Sequence, residues 1–274
     1  MPIVSPLATI HNAVVTDRRE LAPGVVLLGF DAPDLVAVTR PGSFVMVVPP
    51  SGESAATALG VYEADGRRAS ILFFVVGKRT EELSRISEGE TIGVVGPLGN
   101  GFTIGSERDV AIVAGGVGIA SVLLPAQAYA RAGARVRLYY GARTAELLVE
   151  RERFAREGCD VLVATDDGSM GHSGYITSLL AQTDHAPEVI LACGPSPMLR
   201  AVASVASDMS VPAQLSLEET FACGVGGCWG CVVPIVNTSS QAPSFPPAER
   251  NGSDVVYARV CKEGPVFWAH ELRW

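Results

Sequence analysis

Basic charge, long apolar runs and clustered histidines are what this 274-residue chain lacks. With 21 Lys and Arg against 29 Asp and Glu its net charge is −8, which argues against nucleic acid as a partner because phosphate binding needs a basic face. No stretch approaches the ~20 apolar residues of a membrane span, and Ile71 to Gly77 is only strand length. The start, Met1-Pro2-Ile3-Val4-Ser5-Pro6, lacks the charged region and apolar run of a secretory signal. A cytoplasmic location is therefore expected, and the glycosylation patterns at Asn237 and Asn251 are read as accidents. His11, His172, His185 and His270 are scattered without ligand spacing, and no nucleophile-and-base set stands out.

What the chain does have is a cysteine run. Cys223, Cys228 and Cys231 stand in a C-x4-C-x2-C pattern, with Cys261 further on. This is the plant-type spacing for a [2Fe–2S] cluster, three thiolates from one loop and a fourth from downstream. Three sulfurs converging on two irons require a tight backbone wrap. Gly224, Gly226, Gly227 and Gly230 supply the positive φ angles and leave N–H groups free to point at sulfur. A structural four-cysteine zinc site is the competing reading, but zinc sites usually pair two short C-x2-C steps and only one is present. A disulfide framework has no secretory context to support it.

Residues 8 to 104 read as short strands between Gly/Pro turns, at 10–16, 25–30, 43–48, 57–63, 70–76 and 91–95, with a helix at 81–87. This predicts an antiparallel β barrel or sandwich over residues 1–105. From residue 106 to 216 strands and helices alternate. Strands are predicted at 109–114, 136–140, 160–164 and 188–192, and helices from the glycines after 114 to 132 and at 145–156, 175–181 and 196–206, which makes a doubly wound parallel sheet. Residues 217–274 form a small cluster module, with a Ser/Pro/Asn-rich loop at 237–254.

The strand-to-glycine step Ala114-Gly115-Gly116-Val117-Gly118 would place helix N-terminal amides at a parallel-strand end, where α/β sheets bind dinucleotide phosphate. The pattern is G-x-G-x-x-S and lacks a third glycine, so Gly116 and Gly118 could equally just turn the chain. Cys193-Gly194-Pro195 ends another strand and would face the same crevice; the plain alternative is a buried structural cysteine, the reading we take for Cys159. Asp166 and Asp167 look like paired acid/base carboxylates but more plausibly cap a turn.

Barrel, nucleotide domain ending in Cys-Gly-Pro and C-terminal cluster, in that order, resemble the ferredoxin reductase superfamily. Ser216-Leu217-Glu218-Glu219, Cys261-Lys262-Glu263-Gly264-Pro265-Val266-Phe267, Gly96-Pro97-Leu98-Gly99-Asn100-Gly101-Phe102 and Thr165-Asp166-Asp167-Gly168-Ser169 resemble the electron-transfer subunits of NAD-dependent dihydroorotate dehydrogenases. That resemblance implies FAD on the barrel, NAD(H) in the α/β crevice and a [2Fe–2S] cluster on Cys223, Cys228, Cys231 and Cys261. It implies cofactor-binding residues Thr57, Gly60, Phe73, Phe74, Gly77, Lys78, Arg79 and Thr80, together with Gly116, Gly118, Cys193, Gly194 and Pro195. Cys193, near the nicotinamide, is the one candidate catalytic group. The implied partner is an FMN-containing catalytic subunit that oxidises dihydroorotate, two copies of each making a heterotetramer. Electrons would pass from FMN through the cluster to FAD and leave as hydride on NAD+, a step in pyrimidine biosynthesis.

Two departures stand against the pattern. The family's Arg-Pro-x-Ser run on the fourth barrel strand, which holds the FAD diphosphate, reads Thr57-Ala58-Leu59-Gly60 here. The literal Arg40-Pro41-Gly42-Ser43 comes one strand too early and is read as a turn. Arg79 or Lys78, in Gly77-Lys78-Arg79-Thr80, is expected to replace the missing cation. The Cys231 to Cys261 interval is also longer than the family's, an insertion a surface loop tolerates at little cost. Alternative readings are an NAD(P)H reductase feeding an oxygenase or other acceptor, and a cluster-only relay that has lost FAD.

Overall fold

The computed structural model describes residues 9–51, 55–236 and 255–274. The predicted loop at 237–254 lies outside the described residues.

Six strands close into an antiparallel barrel in the order β1-β2-β5-β4-β3-β6: β1 (Thr9–Ala22), β2 (Val25–Asp31), β3 (Phe44–Val48), β4 (Thr57–Asp65), β5 (Arg68–Phe74) and β6 (Thr91–Leu98). Val26, Leu28, Phe30, Val45, Val61, Ile71 and Val94 fill its interior. On β2 and β5 the alternation expected of a half-exposed strand is lost, and Val25 to Phe30 are all buried. The cause is a second covered face. Leu27 and Leu72 point the other way, packing with Ile119, Ala120 and Leu123 of the α/β region, so both faces select apolar residues.

The second sheet runs β10-β9-β8-β7-β11-β12-β15. Its strands β7 (Asp109–Gly115), β8 (Arg135–Ala142), β9 (Asp160–Thr165), β10 (His172–Ser173), β11 (Val189–Cys193) and β12 (Ala213–Ser216) are parallel, and β15 (Val266–Trp268) adds antiparallel to β12. On β7, Val110, Ile112 and Ala114 enter one core and Ala111 and Val113 the other. Helices α3 (Leu123–Arg131), α4 (Arg151–Arg156), α5 (Ile176–Ala181) and α6 (Ser196–Asp208) accompany it. Within the barrel lie α1 (Pro33–Val38) and α2 (Lys78–Ser84), and β13 (Val232–Val236) pairs with β14 (Val255–Arg259) as a hairpin.

Three local differences from the sequence reading have physical causes. The helix expected at 81–87 begins at Lys78, because Thr80 Oγ1 accepts the N–H groups of Val76 (3.0 Å) and Gly77 (3.2 Å) and nucleates it earlier. The helix expected at 145–156 is split into a 3₁₀ turn, Ala145–Leu147, and α4, because Glu150 sits in the left-handed region at φ 59°. After β7 the chain enters a 3₁₀ turn, Gly116–Ser121, before α3 begins, so the bare α-helical amides expected there are not formed.

That 3₁₀ turn lies hard against β11. A Cβ on Gly118 would fall well inside contact distance of the Cys193 carbonyl and the Gly194 nitrogen. Gly118→Ala is therefore expected to cost about 1–3 kcal/mol through overpacking, read as a fall in the thermal unfolding midpoint. An unchanged midpoint would show that this approach is looser than described.

Candidate cofactor crevice and cluster loop

A cavity of about 350 Å³ opens where the barrel meets the carboxyl edge of the parallel sheet. Barrel residues Thr57, Gly60, Leu72, Phe73, Phe74 and Thr80 line one wall; Val117, Ala120, Ser121, Cys193, Ser216 and Glu218 line the other, and Phe221 and Pro265 close it. Six residues singled out from sequence, Thr57, Gly60, Phe73, Phe74, Thr80 and Cys193, thus border one space. Phe73 is buried with the barrel core, while Phe74 is only half-buried.

Others fall elsewhere. Gly118 and Gly194 serve packing: a Cβ on Gly194 would meet Met198 Cε at 2.6 Å and Gly115 N at 3.0 Å. Gly116, at φ 54°, has open space on its missing side chain's face and stays available at the sheet edge. Pro195 is the residue before α6. Gly77, Lys78 and Arg79 are exposed beside the cavity. Arg40 is an exposed residue of a turn closed by Ser43 N–H to Arg40 O at 3.0 Å, as the sequence suggested. Asp167 Oδ1 accepts Ser169 N–H (3.0 Å) and Oγ–H (2.6 Å), so it closes a turn rather than forming a catalytic pair.

Sequence reasoning missed Ser121 and Ser216. Both hydroxyls act on the Cys193 thiol and lower its pKa, and its S–H reaches Glu218 Oε1 at 3.8 Å. Burial, then the Glu218 charge, pushes the Cys193 thiol far up. The surrounding protein likewise raises the Glu218 carboxyl, against the Cys193 hydrogen bond that lowers it, although the side chain itself remains open to the crevice. Gly60 shows why Ser121 could have been suspected: a Cβ there would meet Ser121 Oγ at 2.6 Å, so a hydroxyl occupies the space a side chain on β4 would take.

The cavity suits a flavin in that its walls are mainly apolar. Thr57 Oγ1, buried in its own strand, has no hydrogen-bond partner, a defect shared among the described residues only with Ser70.

The cysteine loop presents N–H groups to sulfur as its glycines suggested. Cys223 Sγ accepts from Gly227 (3.2 Å) and Cys228 (3.4 Å), Cys228 Sγ from Gly230 (3.4 Å), and Cys231 Sγ from Cys261 (3.4 Å). Burial raises the Cys223 thiol, but N–H groups of Cys228, Val225 and Gly227 and the Cys228 thiol outweigh it and draw it down to about 6. Burial, then its hydrogen bond with Cys231, pushes Cys261 up to about 12. The thiols meet as two pairs, Cys223 with Cys228 and Cys231 with Cys261. Two cysteine pairs backed by backbone N–H groups suit the four-thiolate set of a two-iron core. Gly224 lies at φ 69°, where a Cβ would meet Met46 Cγ of β3 at 2.5 Å. Arg259 braces the loop: its guanidinium donates to Gly226 O (2.7 Å) and Glu263 Oε2 (3.0 Å) and covers the Trp229 ring at 4.4 Å.

Barrel, parallel sheet, crevice and cluster loop define an oxidoreductase of ferredoxin-reductase-like fold. Residues 112–204 match the model of the oxidoreductase NAD-binding domain, and residues 247–273 that of the iron–sulfur cluster binding domain of dihydroorotate dehydrogenase B. The chain is 34% identical to the dihydroorotate dehydrogenase B (NAD(+)) electron transfer subunit of Caldanaerobacter subterraneus, over 85% of this chain and 87% of that one. It is 32% identical to that of Desulforamulus reducens over 98% and 100%. Among solved structures, an NADH-dependent reduced ferredoxin–NADP oxidoreductase described for flavin-based electron bifurcation superposes with TM-score 0.83 at 29% identity, over 96% of this chain and 90% of that one. The ferredoxin reductase of carbazole 1,9a-dioxygenase, at 21% identity and TM-score 0.66, shares the fold. The chain belongs to the family of dihydroorotate dehydrogenase B electron transfer subunits. No helix among the described residues is long and apolar enough to cross a membrane.

Because its pKa is raised, Cys193 stays a protonated thiol at neutral and mildly alkaline pH. Native protein treated with iodoacetamide at pH 8 is expected to leave Cys193 unmodified by peptide mass mapping, and to label it once unfolded. Labelling in the native state would contradict the buried, hydrogen-bonded thiol.

Proposed function

We propose that this chain carries a [2Fe–2S] cluster on Cys223, Cys228, Cys231 and Cys261 and FAD in the crevice, and links NAD+ to dihydroorotate oxidation. Oxidation itself belongs to an FMN-holding partner subunit, two copies of each chain forming a heterotetramer. One observation carries the reading: the cluster loop and the crevice share a wall. Phe221, two residues before Cys223, packs on Phe44 of β3 with ring centroids 5.0 Å apart, and both line the cavity. Gly224 rests on Met46 of the same strand.

Bound flavin supplies the exchange between one-electron and two-electron traffic that neither cluster nor nicotinamide provides. The chain's own residues hold and exclude. Leu72, Phe74 and Val117 give apolar walls that keep water out. The Ser121, Cys193, Ser216 and Glu218 group offers hydrogen-bonding edges at the carboxyl end of the sheet, where Gly116, near Gly194 and Pro195, leaves room for the nicotinamide dinucleotide. The match to a ferredoxin–NADP oxidoreductase over 96% of the chain supports a second reading, a reductase serving another acceptor.

A visible spectrum with iron, sulfide and flavin quantitation is expected to give iron and sulfide in equal amounts with one flavin per cluster. Cys228→Ser and Cys261→Ser should each lower the iron content. Zinc in place of iron, or a flavin-free protein, would sink the corresponding half of the reading. Co-purification with a dihydroorotate-oxidising subunit separates the first reading from the second.

A further inference from the structure

Among the described residues Glu150, Ser210 and Trp229 carry a positive φ without being glycine, and Trp229 is the bulkiest of them. A large side chain at φ 58° is strained, because its Cβ crowds the backbone. Such a conformation persists only where its surroundings hold it. Trp229 stands inside the cysteine run, directly after Cys228 and two residues before Cys231. The Arg259 guanidinium lies over its ring, 4.4 Å from the centroid, within range of a cation–π contact. Arg259 is itself fixed on both sides. It donates from Nε to Glu263 Oε2 at 3.0 Å, from Nη2 to Glu263 Oε1 and from Nη1 to the Gly226 carbonyl at 2.7 Å. Its backbone N–H also goes to Glu263 Oε2, at 2.8 Å. The guanidinium thus joins the segment that carries Cys261 to the loop that carries the other three cysteines.

The strained angle has a consequence at sulfur. The peptide that follows Trp229 carries the Gly230 N–H, so the Trp229 backbone sets where that N–H points. It points at Cys228 Sγ, at 3.4 Å. Cys228 is the exposed one of the four cysteines, so its sulfur has least protein around it. An N–H aimed at a ligand sulfur favours the added electron of a reduced cluster, and hydrogen bonds of this kind are one of the levers on its potential.

We propose that Arg259 and Trp229 are positioning residues that raise the cluster's reduction potential. The guanidinium clamps the indole, the indole keeps its backbone left-handed, and that backbone aims the Gly230 N–H at the Cys228 sulfur. This rests on the cluster reading above. It makes the potential depend on a contact between two side chains, neither of which is a ligand.

The test is an anaerobic redox titration of the full-length protein, followed by electron paramagnetic resonance of the reduced cluster, with iron quantitation alongside. Trp229→Ala is expected to shift the potential downward, since alanine must take the strained angle with no clamp to hold it. Trp229→Gly is expected to stay nearer the wild-type potential, because glycine adopts a positive φ freely. Both variants lose the indole, so the difference between them reads the backbone. Arg259→Lys keeps the charge but not the flat guanidinium that stacks on the ring. It should lower the potential when Trp229 is present and leave it unchanged in the Trp229→Gly background. Equal potentials for Trp229→Ala and Trp229→Gly overturn the proposal. So does an Arg259→Lys shift that is the same in both backgrounds or absent from both, because Arg259 then does not act through Trp229. Iron lost from Trp229→Ala alone supports it, whereas iron lost from both Trp229 variants overturns it, since the indole and not the angle then matters. A wild-type protein without iron and sulfide overturns the cluster reading and this inference with it.

Discussion

The crevice depends on one close approach. Strand β4 and the 3₁₀ turn after β7 come so near that position 60 has room for no side chain, its Cβ direction being filled by Ser121 Oγ. The next residues of β4 fasten the same seam with polar bonds. Tyr62 donates to Glu150 Oε2 at 2.8 Å, and Arg153 of α4 donates to Glu63 Oε1 at 2.6 Å while also pairing with Glu157. Burial first, then the Glu150 charge, holds the Tyr62 hydroxyl protonated far above its usual range, so it remains a donor at any working pH. β4 is pinned between β3 and β5, and β7 between β8 and β11. Contacts at three residues of one strand, Gly60, Tyr62 and Glu63, thus join the two walls of the cavity.

The C-terminal segment is tied to both bodies. β15 extends the parallel sheet through β12, and Asn100, just beyond the barrel's last strand, grips the turn before it. Asn100 Nδ2 donates to Val266 O (2.7 Å) and Glu263 O (2.9 Å), and its Oδ1 accepts Val266 N–H (3.1 Å). Gln214 on β12 makes a reciprocal pair with the Thr103 backbone, 2.8 Å in each direction. Residues sequence would divide between barrel, nucleotide region and cluster module therefore share one polar framework. The cysteine loop rests on that framework through Met46 and Arg259 rather than hanging from a linker.

Legibility in the sequence followed the range of the interaction. The cysteine spacing was readable because ligand geometry acts within one short loop, and the glycines at 224 and 226 take the positive φ expected of them, 69° and 84°, whereas Gly227 and Gly230 do not and Trp229 does, at 58°. Strand positions were readable too, since β2 and β7 are apolar enough to stand out, although the apolar runs did not say which residue faces which core. What escaped were contacts between distant segments. Nothing local to Gly60 or Ser121 announces that one makes room for the other. The orphaned Thr57 oxygen exists only because neighbouring strands bury it. Glu150 interrupts a helical pattern by taking a left-handed backbone that its residue type does not advertise.

Charge makes a last distinction between the two sites. The chain is acidic overall, at −8, yet both sites are read as holding anionic groups, and each meets that demand differently. At the cysteine loop the one guanidinium in place, Arg259, is already paired with Glu263 and spends a further donor on Gly226. It contributes structure more than net positive charge. Stabilisation of thiolate there falls to peptide dipoles, the N–H groups of Gly227, Cys228, Gly230 and Cys261, which need no counter-charge and are fixed by backbone geometry. At the crevice the polar groups are side chains, those of Ser121, Cys193, Ser216 and Glu218. A site built from backbone N–H groups tolerates surface charge changes around it, whereas one built from side chains changes with each residue that lines it.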